Sequence, residues 1–266
     1  MQTSGAIGVF DSGVGGLSVL HHIRHALPDE RLIYVADSAH VPYGDKPASY
    51  IEQRSLALTR FLIEQGADAI VIACNTATAA VAATLRSRFN IPIVGMEPAV
   101  KPAVAATRSG VIGILATTGT LDSARFAALL ERYAGDVEIV TQGCPGLVER
   151  VEQGDLNGAQ TRALIARYTA PLLARGADTL ILGCTHYPFL APLITEVVGP
   201  DIALVDTGAA VARQLQHRTQ TELPARAAGD ASAQFWTSGD AAQAAHIMSV
   251  LWGEEVEVRQ LSQEFL

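Results

Sequence analysis

The sequence predicts an α/β protein of two pseudo-twofold-related α/β units, each a mostly parallel sheet flanked by helices. Short apolar, β-branched runs alternate with longer helical patterns, as in parallel α/β folds. The stretch GADAIVIACNTATA (66–79) returns as GADTLILGCTHYP (176–188), which puts Cys74 and Cys184 at equivalent positions. Near the start of each unit the same kind of match pairs Ile112 and Gly113 with Ile7 and Gly8. These repeats predict two copies of the same α/β unit.

The first unit is predicted from the N-terminal third of the chain. Its strands are four short apolar runs, at 7–10, 32–37, 69–73 and 91–94. Apolar residues at helical spacing predict helices over about 50–65 and 77–88. The glycines of DSGVGGL, directly after the first strand, permit a tight turn and a close approach of the backbone.

The second unit repeats this pattern, and the chain then returns to the first. Its predicted elements are strands within 110–120, near 137–141, before Cys184 and at 203–208, and a long helix over about 157–174. After a loop predicted at 219–234 come a strand at FWTSGD, a helix over about 241–251 and a last strand at VEVRQL. We expect this final segment to complete the first unit. The predicted domains are therefore 1–98 plus 208–266, and 99–207, with the active site in the cleft between them.

The composition narrows the classes of function. At 266 residues, 49% hydrophobic and 17% charged, the chain can bury a large core and is expected to be soluble. A net charge of −8 argues against nucleic acid as the primary partner. The longest apolar run, 69–83, is too short and too polar to span a bilayer, and the polar start MQTSGA does not resemble a leader. Three cysteines without a CxxC motif fit reduced thiols, so we expect a cytoplasmic protein with no membrane partner.

The paired cysteines indicate acid–base chemistry. Ligands of parallel α/β sheets bind outside the carboxyl ends of the strands, where Cys74 and Cys184 are both predicted. If the two units face each other, both thiols reach one cleft from opposite sides. Each cysteine is expected where a strand ends and a helix begins, and a helix N-terminus lowers the pKa of a thiol. One thiolate could then remove a proton from a stereocentre while the other thiol returns one to the opposite face.

No cofactor or metal is predicted. Pyridoxal phosphate, the usual aid to such a reaction, needs a lysine, and the two lysines, Lys46 and Lys101, lack phosphate-binding surroundings. The histidines His21, His22 and His25 have no carboxylate or cysteine ligand beside them, so a solvated helix face explains them better than a metal site. A cofactor-independent mechanism is favoured.

Five motifs occur in a fixed order: DSGVGGL, VPYG, CNTAT, ATxGT and GCTHYP. In this order and at these spacings they resemble the glutamate racemases, within the cofactor-independent aspartate/glutamate racemase family. The resemblance runs through almost the whole chain. It implies an isomerase that interconverts L- and D-glutamate and supplies the D-isomer for peptidoglycan synthesis. The resemblance makes a homodimer possible but does not decide the oligomeric state.

The resemblance also implies roles for individual residues. The acid/base pair matches Cys74 and Cys184. Asp11 matches the residue that assists the first cysteine, and Glu152 and His186 match those that assist the second. Positions that hold the α-carboxylate and ammonium of the substrate match Asp11, Ser12, Asn75, Thr76, Thr118, Thr185 and His186. The loop beside the side-chain carboxylate of the substrate matches Pro42, Tyr43 and Gly44.

Several alternatives remain open at this level. Glu149 lies close to Glu152, and the sequence does not decide which of them faces the cleft. The threonines 117, 118 and 120 fit a helix cap as well as a substrate site. The substrate could be aspartate or another amino acid. A nucleotide-binding regulatory protein is the alternative of a different class, because DSGVGGL is followed by Asp37 at a strand end, although the GxGxxG spacing and a Walker lysine are missing. Asp37 is more simply a strand-end residue, and Cys144 a packing residue.

Overall fold

The structure, a computed structural model, describes residues 5–224 and 230–266. Two parallel sheets account for the strands in this part of the chain. In chain order these strands are β1 (Ala6–Asp11), β2 (Arg31–Ala36), β3 (Ala67–Ile72), β4 (Ile93–Val94), β5 (Val111–Ala116), β6 (Glu138–Gly143), β7 (Thr179–Leu182), β8 (Ala203–Val205), β9 (Ala233–Thr237) and β10 (Val258–Gln260). The first sheet has the order β10-β9-β2-β1-β3-β4 and the second β6-β5-β7-β8.

Helices connect the strands. They are α1 (Leu17–Ala26), α2 (Ala48–Glu64), α3 (Asn75–Arg88), α4 (Val100–Ala106), α5 (Thr118–Leu121), α6 (Ala124–Tyr133), α7 (Leu147–Glu152), α8 (Ala159–Ala174), α9 (Ala191–Val198), α10 (Gly208–Glu222) and α11 (Ala241–Trp252). Short 3-10 turns occur at Tyr43–Asp45, Tyr187–Leu190 and Gln263–Phe265. The predicted α/β class, with two mostly parallel sheets flanked by helices, is confirmed.

The internal repeat is visible in the topology. The order β2-β1-β3-β4 in the first sheet is matched by β6-β5-β7-β8 in the second, with every pairing parallel. β9 pairs with β2 and β10 pairs with β9, so the end of the chain extends the first sheet as expected. The strands of 6–94 and 233–260 thus form one sheet and those of 111–205 the other. The domain boundaries at 98 and 207 stay a prediction.

Helices on both faces explain the continuous apolar strands. β1 is buried along its whole length, as are the strands of a parallel sheet covered on both sides. One hydrophobic cluster runs through both halves, because side chains such as Val9 and Leu17 belong to the same core as Leu147, Leu180 and Leu190. The two sheets are therefore held against each other by shared packing as well as by the chain crossings.

Two predicted elements differ from the structure. Cys184 does not begin an α-helix: β7 ends at Leu182, the 3-10 turn Tyr187–Leu190 follows, and α9 starts only at Ala191. The predicted loop at 219–234 is shorter than expected, because α10 continues to Glu222 and β9 starts at Ala233. The buried Thr219 keeps the last turn of α10 on the core. Residues 225–229 of that loop lie outside the described residues.

Among residues 5–224 and 230–266, no helix is long and apolar enough to cross a membrane.

Candidate active site

Cys74 lies where β3 ends and α3 begins, as the sequence predicts. Its backbone is extended, and its Sγ accepts a hydrogen bond of 3.4 Å from the Ala77 N–H in the first turn of α3. The sulfur therefore occupies the N-cap position, where a side-chain acceptor satisfies an N–H that has no partner within the helix. The Cys74 thiol also donates to the Ser12 hydroxyl, over 3.8 Å.

Cys184 reaches the same place from the second sheet. Gly183, just after β7, donates its N–H to the Leu115 carbonyl at 2.8 Å, and a Cβ there would lie 2.9 Å from that oxygen. The glycine thus lets the turn that carries Cys184 lie close against β5. Both cysteines are almost fully buried. The second thiol is held by a tight turn instead of by a helix N-terminus.

One cavity between the halves is lined by both thiols. Its wall consists of Ser12, Pro42, Tyr43, Gly44, Cys74, Asn75, Thr76, Thr117, Val148, Gly183, Cys184, Thr185 and His186. Most of the residues that the sequence singles out are therefore brought together. Asp11 and Glu152 stand behind this wall, and Thr118 is exposed outside it. In the second unit, Thr117 takes the place in the cavity wall that was predicted for Thr118.

Asp11 ends β1 and is fully buried directly behind the cavity. Its carboxylate accepts hydrogen bonds from the N–H groups of Ser12 and Gly16, each at 2.7 Å, and from the Thr185 hydroxyl at 3.2 Å. Burial raises the pKa of Asp11, an effect that the neighbouring His186 partly offsets. The Ser12 hydroxyl, 3.2 Å from Asp11 Oδ1, connects this carboxylate to the Cys74 thiol.

Glu152, His186 and Cys184 form a second chain of contacts. Glu152 Oε1 lies 2.6 Å from His186 Nε2 and accepts a 2.7 Å hydrogen bond from the Val14 N–H. His186 Nδ1 lies 3.6 Å from Cys184 Sγ. Of the two glutamates between which the sequence could not decide, Glu152 is the one that contacts His186. Glu149 lines a separate groove, also bordered by Val14 and Glu152.

Burial and neighbouring groups shift the pKa values of Cys74 and His186. Burial raises the pKa of Cys74 well above its ordinary value, and the negative charge of Asp11 adds to the rise. The predicted lowering of this pKa by the helix N-terminus is therefore wrong: the Ala77 hydrogen bond does lower it, but by less than desolvation raises it. For His186, burial lowers the pKa, but the hydrogen bonds with Cys184 and Glu152 outweigh burial and raise it well above 6.5.

Polar groups cover the rest of the wall. The Thr76 hydroxyl lies 2.9 Å from that of Thr117 and 3.2 Å from that of Thr120, so a hydroxyl cluster joins α3 to the second unit. Both polar atoms of the Asn75 side chain are buried without a hydrogen-bond partner among the described residues. An unpaired buried amide is costly, which makes Asn75 ready to bind a polar ligand.

Two residues of the wall, Val148 and Gly183, were not predicted, and Thr117 was left open between a helix cap and a substrate site. Thr117 belongs to the ATxGT motif and Gly183 to the GCTHYP motif, so these motifs could have indicated both as wall residues. Val148 lies on α7 of the second unit, and no local pattern distinguishes it from an ordinary core valine. No group of three or more His, Cys, Asp or Glu side chains in the described ranges could hold a metal ion.

Two thiols on one cavity, each carried by one copy of a repeated βαβ design, fit a racemase. A model of the family described as Asp/Glu/Hydantoin racemase matches residues 7–215. The chain belongs to this racemase family. The predicted family resemblance and the enzyme class, an isomerase, are thereby confirmed.

Relatives of this racemase are similar over their whole length. The glutamate racemase of Ectopseudomonas mendocina is 60% identical over 259 residues, 97% of this chain and 98% of that relative. That of Pseudomonas paraeruginosa is 59% identical with the same coverage. Among solved structures, a glutamate racemase isoform of Bacillus anthracis has a TM-score of 0.87 at 32% identity, covering 98% of both chains.

The glutamate racemase of Escherichia coli, solved with L-glutamate and the activator UDP-MurNAc-Ala, is equally similar in fold. Its TM-score is also 0.87, at 34% identity, and the match covers 97% of this chain and 98% of that one. The architecture of this racemase, two parallel sheets flanked by helices, is therefore that of these glutamate racemases.

Proposed function

We propose that this racemase interconverts L- and D-glutamate, with Cys74 and Cys184 as the two acid/base groups. The observation that carries the proposal is that the two thiols, one from each unit, line a single cavity. Glutamate is the proposed substrate because relatives about 60% identical over nearly the whole chain are named glutamate racemases. A role in supplying D-glutamate for peptidoglycan follows from the same substrate assignment.

Binding would use the polar wall of the cavity. Hydroxyl, amide and backbone N–H groups are suited to carboxylates. Asn75, with its unpaired amide, and the hydroxyls of Ser12, Thr76 and Thr185 are proposed to hold the α-carboxylate and ammonium of the substrate. The backbone of Pro42–Gly44 is proposed to lie beside the side-chain carboxylate. The α-carbon is then held between the two sulfurs.

Racemisation moves one proton off the α-carbon and another onto it. In one direction the thiolate of one cysteine takes the α-proton, its S–H bond forming as the C–H bond breaks. The thiol of the other cysteine gives its proton to the opposite face, and its sulfur is left as the thiolate. The reverse reaction exchanges these roles. No electrons are lost or gained, so no redox partner is required.

The surroundings of each sulfur fit these roles. A thiolate whose pKa is raised is rarer at neutral pH but is a stronger base, which suits a weakly acidic α-proton. The contacts from Cys74 through Ser12 to the buried Asp11 provide a route for the thiol proton. On the other side, a protonated His186 held by Glu152 would stabilise negative charge on Cys184. Asp11 and the Glu152–His186 pair thus serve opposite sulfurs.

The deciding experiment is chiral analysis of glutamate incubated with the purified protein in deuterium oxide, without added cofactor. L-glutamate should become a mixture of both enantiomers with solvent deuterium at the α-carbon. Full inversion with protium retained at that carbon would overturn the two-base mechanism. Conversion of aspartate or another amino acid in place of glutamate would overturn the substrate assignment.

Cysteine variants test the assignment of the two bases. Cys74→Ala and Cys184→Ala should each abolish racemisation. Cys144→Ala is the matched control, since this third thiol is buried outside the cavity wall and burial raises its pKa to about 12. An active variant at position 74 or 184 would contradict the proposal, as would an inactive, folded Cys144→Ala.

A further inference from the structure

A buried ion pair stands behind the loop Pro42–Gly44. Asp37 follows β2 and is fully buried. Its carboxylate accepts from Arg54 Nη2 at 2.7 Å and from Arg54 Nε at 3.0 Å. It also accepts from the Tyr43 hydroxyl at 2.6 Å. A bidentate arginine and a phenol thus bind one carboxylate, and all three side chains are removed from solvent.

The C-terminus completes this arrangement. Arg54 Nη2 also donates to the Phe265 carbonyl at 2.8 Å. The Phe265 ring packs edge-on against Phe61 of α2, with 5.4 Å between the ring centres. The nearby Leu261 N–H bonds to the Thr237 carbonyl at 2.8 Å, which fixes the approach of the final residues. The last residues of the chain are therefore packed against the helix that carries Arg54.

Tyr43 connects this network to the cavity. Its hydroxyl is bound by Asp37, so the contribution of the residue to the wall comes from its ring and backbone. The next residue, Gly44, lies against the second unit, where a Cβ on Gly119 would be 2.8 Å from the Gly44 carbonyl oxygen. The loop is thus held by Asp37 of its own unit through Tyr43 and lies against Gly119 of the second unit at Gly44.

A buried carboxylate is stable only while its partners remain. Loss of the Arg54 guanidinium would leave the buried Asp37 carboxylate with the Tyr43 hydroxyl and, at 3.9 Å, His40 Nε2 as its remaining polar neighbours, and its side chain would reorganise toward water. This movement weakens the bond to the Tyr43 hydroxyl. A change at Arg54 or Phe265, outside the cavity wall, would then reach the cavity through one defined contact.

We infer that Asp37, Arg54 and Phe265 are positioning residues for the Tyr43 loop and so help to determine how tightly the substrate is held. This inference rests on the proposed function for the identity of that substrate. It goes beyond an ordinary core ion pair because it predicts an effect on KM that is transmitted through Tyr43. It also gives the C-terminal residues a part in the site.

Arg54→Gln is the first test, with Arg60→Gln, an exposed arginine on the same helix, as the matched control. We expect the KM for glutamate to rise about tenfold in Arg54→Gln, the equivalent of one charged hydrogen bond, while kcat changes less than about threefold. Arg54→Lys keeps the charge but not the bidentate geometry, so its KM should lie between those of the wild type and Arg54→Gln. A KM for folded Arg54→Gln equal to that of Arg60→Gln would overturn the inference.

The transmission through Tyr43 is tested by a double-mutant cycle. Tyr43→Phe removes the hydroxyl that Asp37 binds, and it should raise KM by itself. In that background Arg54→Gln should raise KM by less than twofold, because the contact through which it acts is already absent. Additive effects of the two changes would contradict the inference.

The C-terminal part is tested by Phe265→Ala against Leu266→Ala, since Leu266 is 41% exposed. Phe265→Ala should raise KM and Leu266→Ala should not; equal effects would overturn the role of Phe265. This pair keeps the inference testable if Arg54→Gln fails to fold.

A readout independent of catalysis separates the two proposals. Amide hydrogen exchange in residues 41–46 should be about fivefold faster in Arg54→Gln than in Arg60→Gln, because the loop opens locally more often. If the wild type does not convert glutamate but this exchange difference is present, the proposed function fails and the positioning role stands. If glutamate is converted and the exchange difference is absent, the positioning role fails alone.

Discussion

His186 is a buried imidazole between a carboxylate and a thiol, and its surroundings favour the charged form. Burial alone would lower its pKa, but the bonds to Cys184 and Glu152 reverse the effect. Glu152 is in turn held by the Val14 N–H of the first unit at 2.7 Å. The orientation of this histidine therefore depends on both halves of the molecule. The residues around it are the ones whose substitution should affect the reaction most clearly.

Glu152→Gln tests that dependence. Without the carboxylate, His186 loses the partner that favours its charged form, and we expect kcat/KM to fall about a hundredfold. The fall should be equal for L- and D-glutamate, because the equilibrium constant between mirror-image solutes in water is one. Polarimetric or chiral-column assays in both directions measure it. Glu149→Gln, on the same short helix, is the control and should keep kcat/KM within about threefold. Equal losses in the two variants would contradict the assignment.

The raised pKa of His186 also predicts a pH dependence of stability. A group whose pKa is raised by folding contributes stability that is complete below its unfolded pKa, here 6.5, and that is lost as the pH rises through its folded value. The thermal midpoint of the wild type should therefore exceed that of His186→Asn most at about pH 6, and the difference should narrow at about pH 9. His25→Asn, at an exposed site on α1, is the matched control for the substitution itself. A difference that stays constant with pH would disprove the charged state.

Individual site residues also show how much of the site the sequence alone could predict. The repeat predicted both cysteines, because equivalent strand ends in two copies of a sheet reach a common cleft when the two units face each other. It could not choose between Glu149 and Glu152, which lie three residues apart on α7. The decision depends on Val14 and His186, which lie 138 and 34 residues from Glu152. The raised pKa of Cys74 was also missed, because burial at the site depends on both units and not on the helix to which the residue belongs.

The glycine turn after β1 is the element that lets the two units come together. Gly13 and Gly15 both have ordinary backbone angles, so conformational freedom does not explain them. A Cβ on Gly13 would lie 1.9 Å from Glu152 Oε1, and one on Gly15 would lie 2.3 Å from His186 Nδ1. The sequence predicted a close approach here. The structure identifies the approaching groups as side chains of the opposite unit.

Gly15→Ala should accordingly disrupt the site. The added methyl group would meet a buried imidazole ring that cannot move aside easily, so the turn and His186 must separate. We expect kcat/KM to fall at least about a hundredfold, as for other displacements of a catalytic group by about 1 Å. Gly143→Ala at the end of β6 is the control, because a Cβ there makes only an ordinary contact of 3.4 Å. Steady-state kinetics of the two variants measure kcat/KM. A fully active Gly15→Ala would show that the turn can accommodate a methyl group beside His186.

Elements were predicted best where packing is regular. The strands next to both cysteines were found from short apolar runs, since a doubly covered parallel strand is apolar on both faces. The 3-10 turn after Cys184 was missed, because HYPFLAP still reads as the start of a helix with prolines near its N-terminus. The extension of α10 to Glu222 was missed for a related reason, since its last turn is polar and only Thr219 is buried.

The two units of the molecule are in contact around the cavity. Thr120 and Thr117 of the second unit bond with Thr76 of the first, and the Ser18 hydroxyl donates to the Thr185 carbonyl at 2.8 Å. The thiols behind these contacts are only 5% and 7% exposed. Glutamate can reach them only if the wall of the cavity opens. Weaker contacts between the units are therefore expected to make the thiols more accessible.

Thr120→Val should weaken these contacts. It removes the hydroxyl contact with Thr76 between the units, worth about 1 kcal/mol, while it preserves the size of the side chain. Alkylation of Cys74 and Cys184 by iodoacetamide should be about fivefold faster than in the wild type. Peptide mass spectrometry measures each thiol separately, and the buried Cys144, outside the cavity wall, serves as the internal control. Unchanged rates at both cavity thiols would argue that the hydroxyl cluster does not hold the units together.

The pairing of β9 with β2 has a consequence for biosynthesis. The second sheet is made from one continuous stretch, 111–205, whereas the first receives its last two strands from 233–260. The unit that the ribosome begins first is thus finished last, and until then the edge of β2 is open to wrong pairing. A nascent chain stopped short of Phe265 also lacks the carbonyl that Arg54 binds. Translation must therefore pass residue 265 before the N-terminal unit has all of these parts.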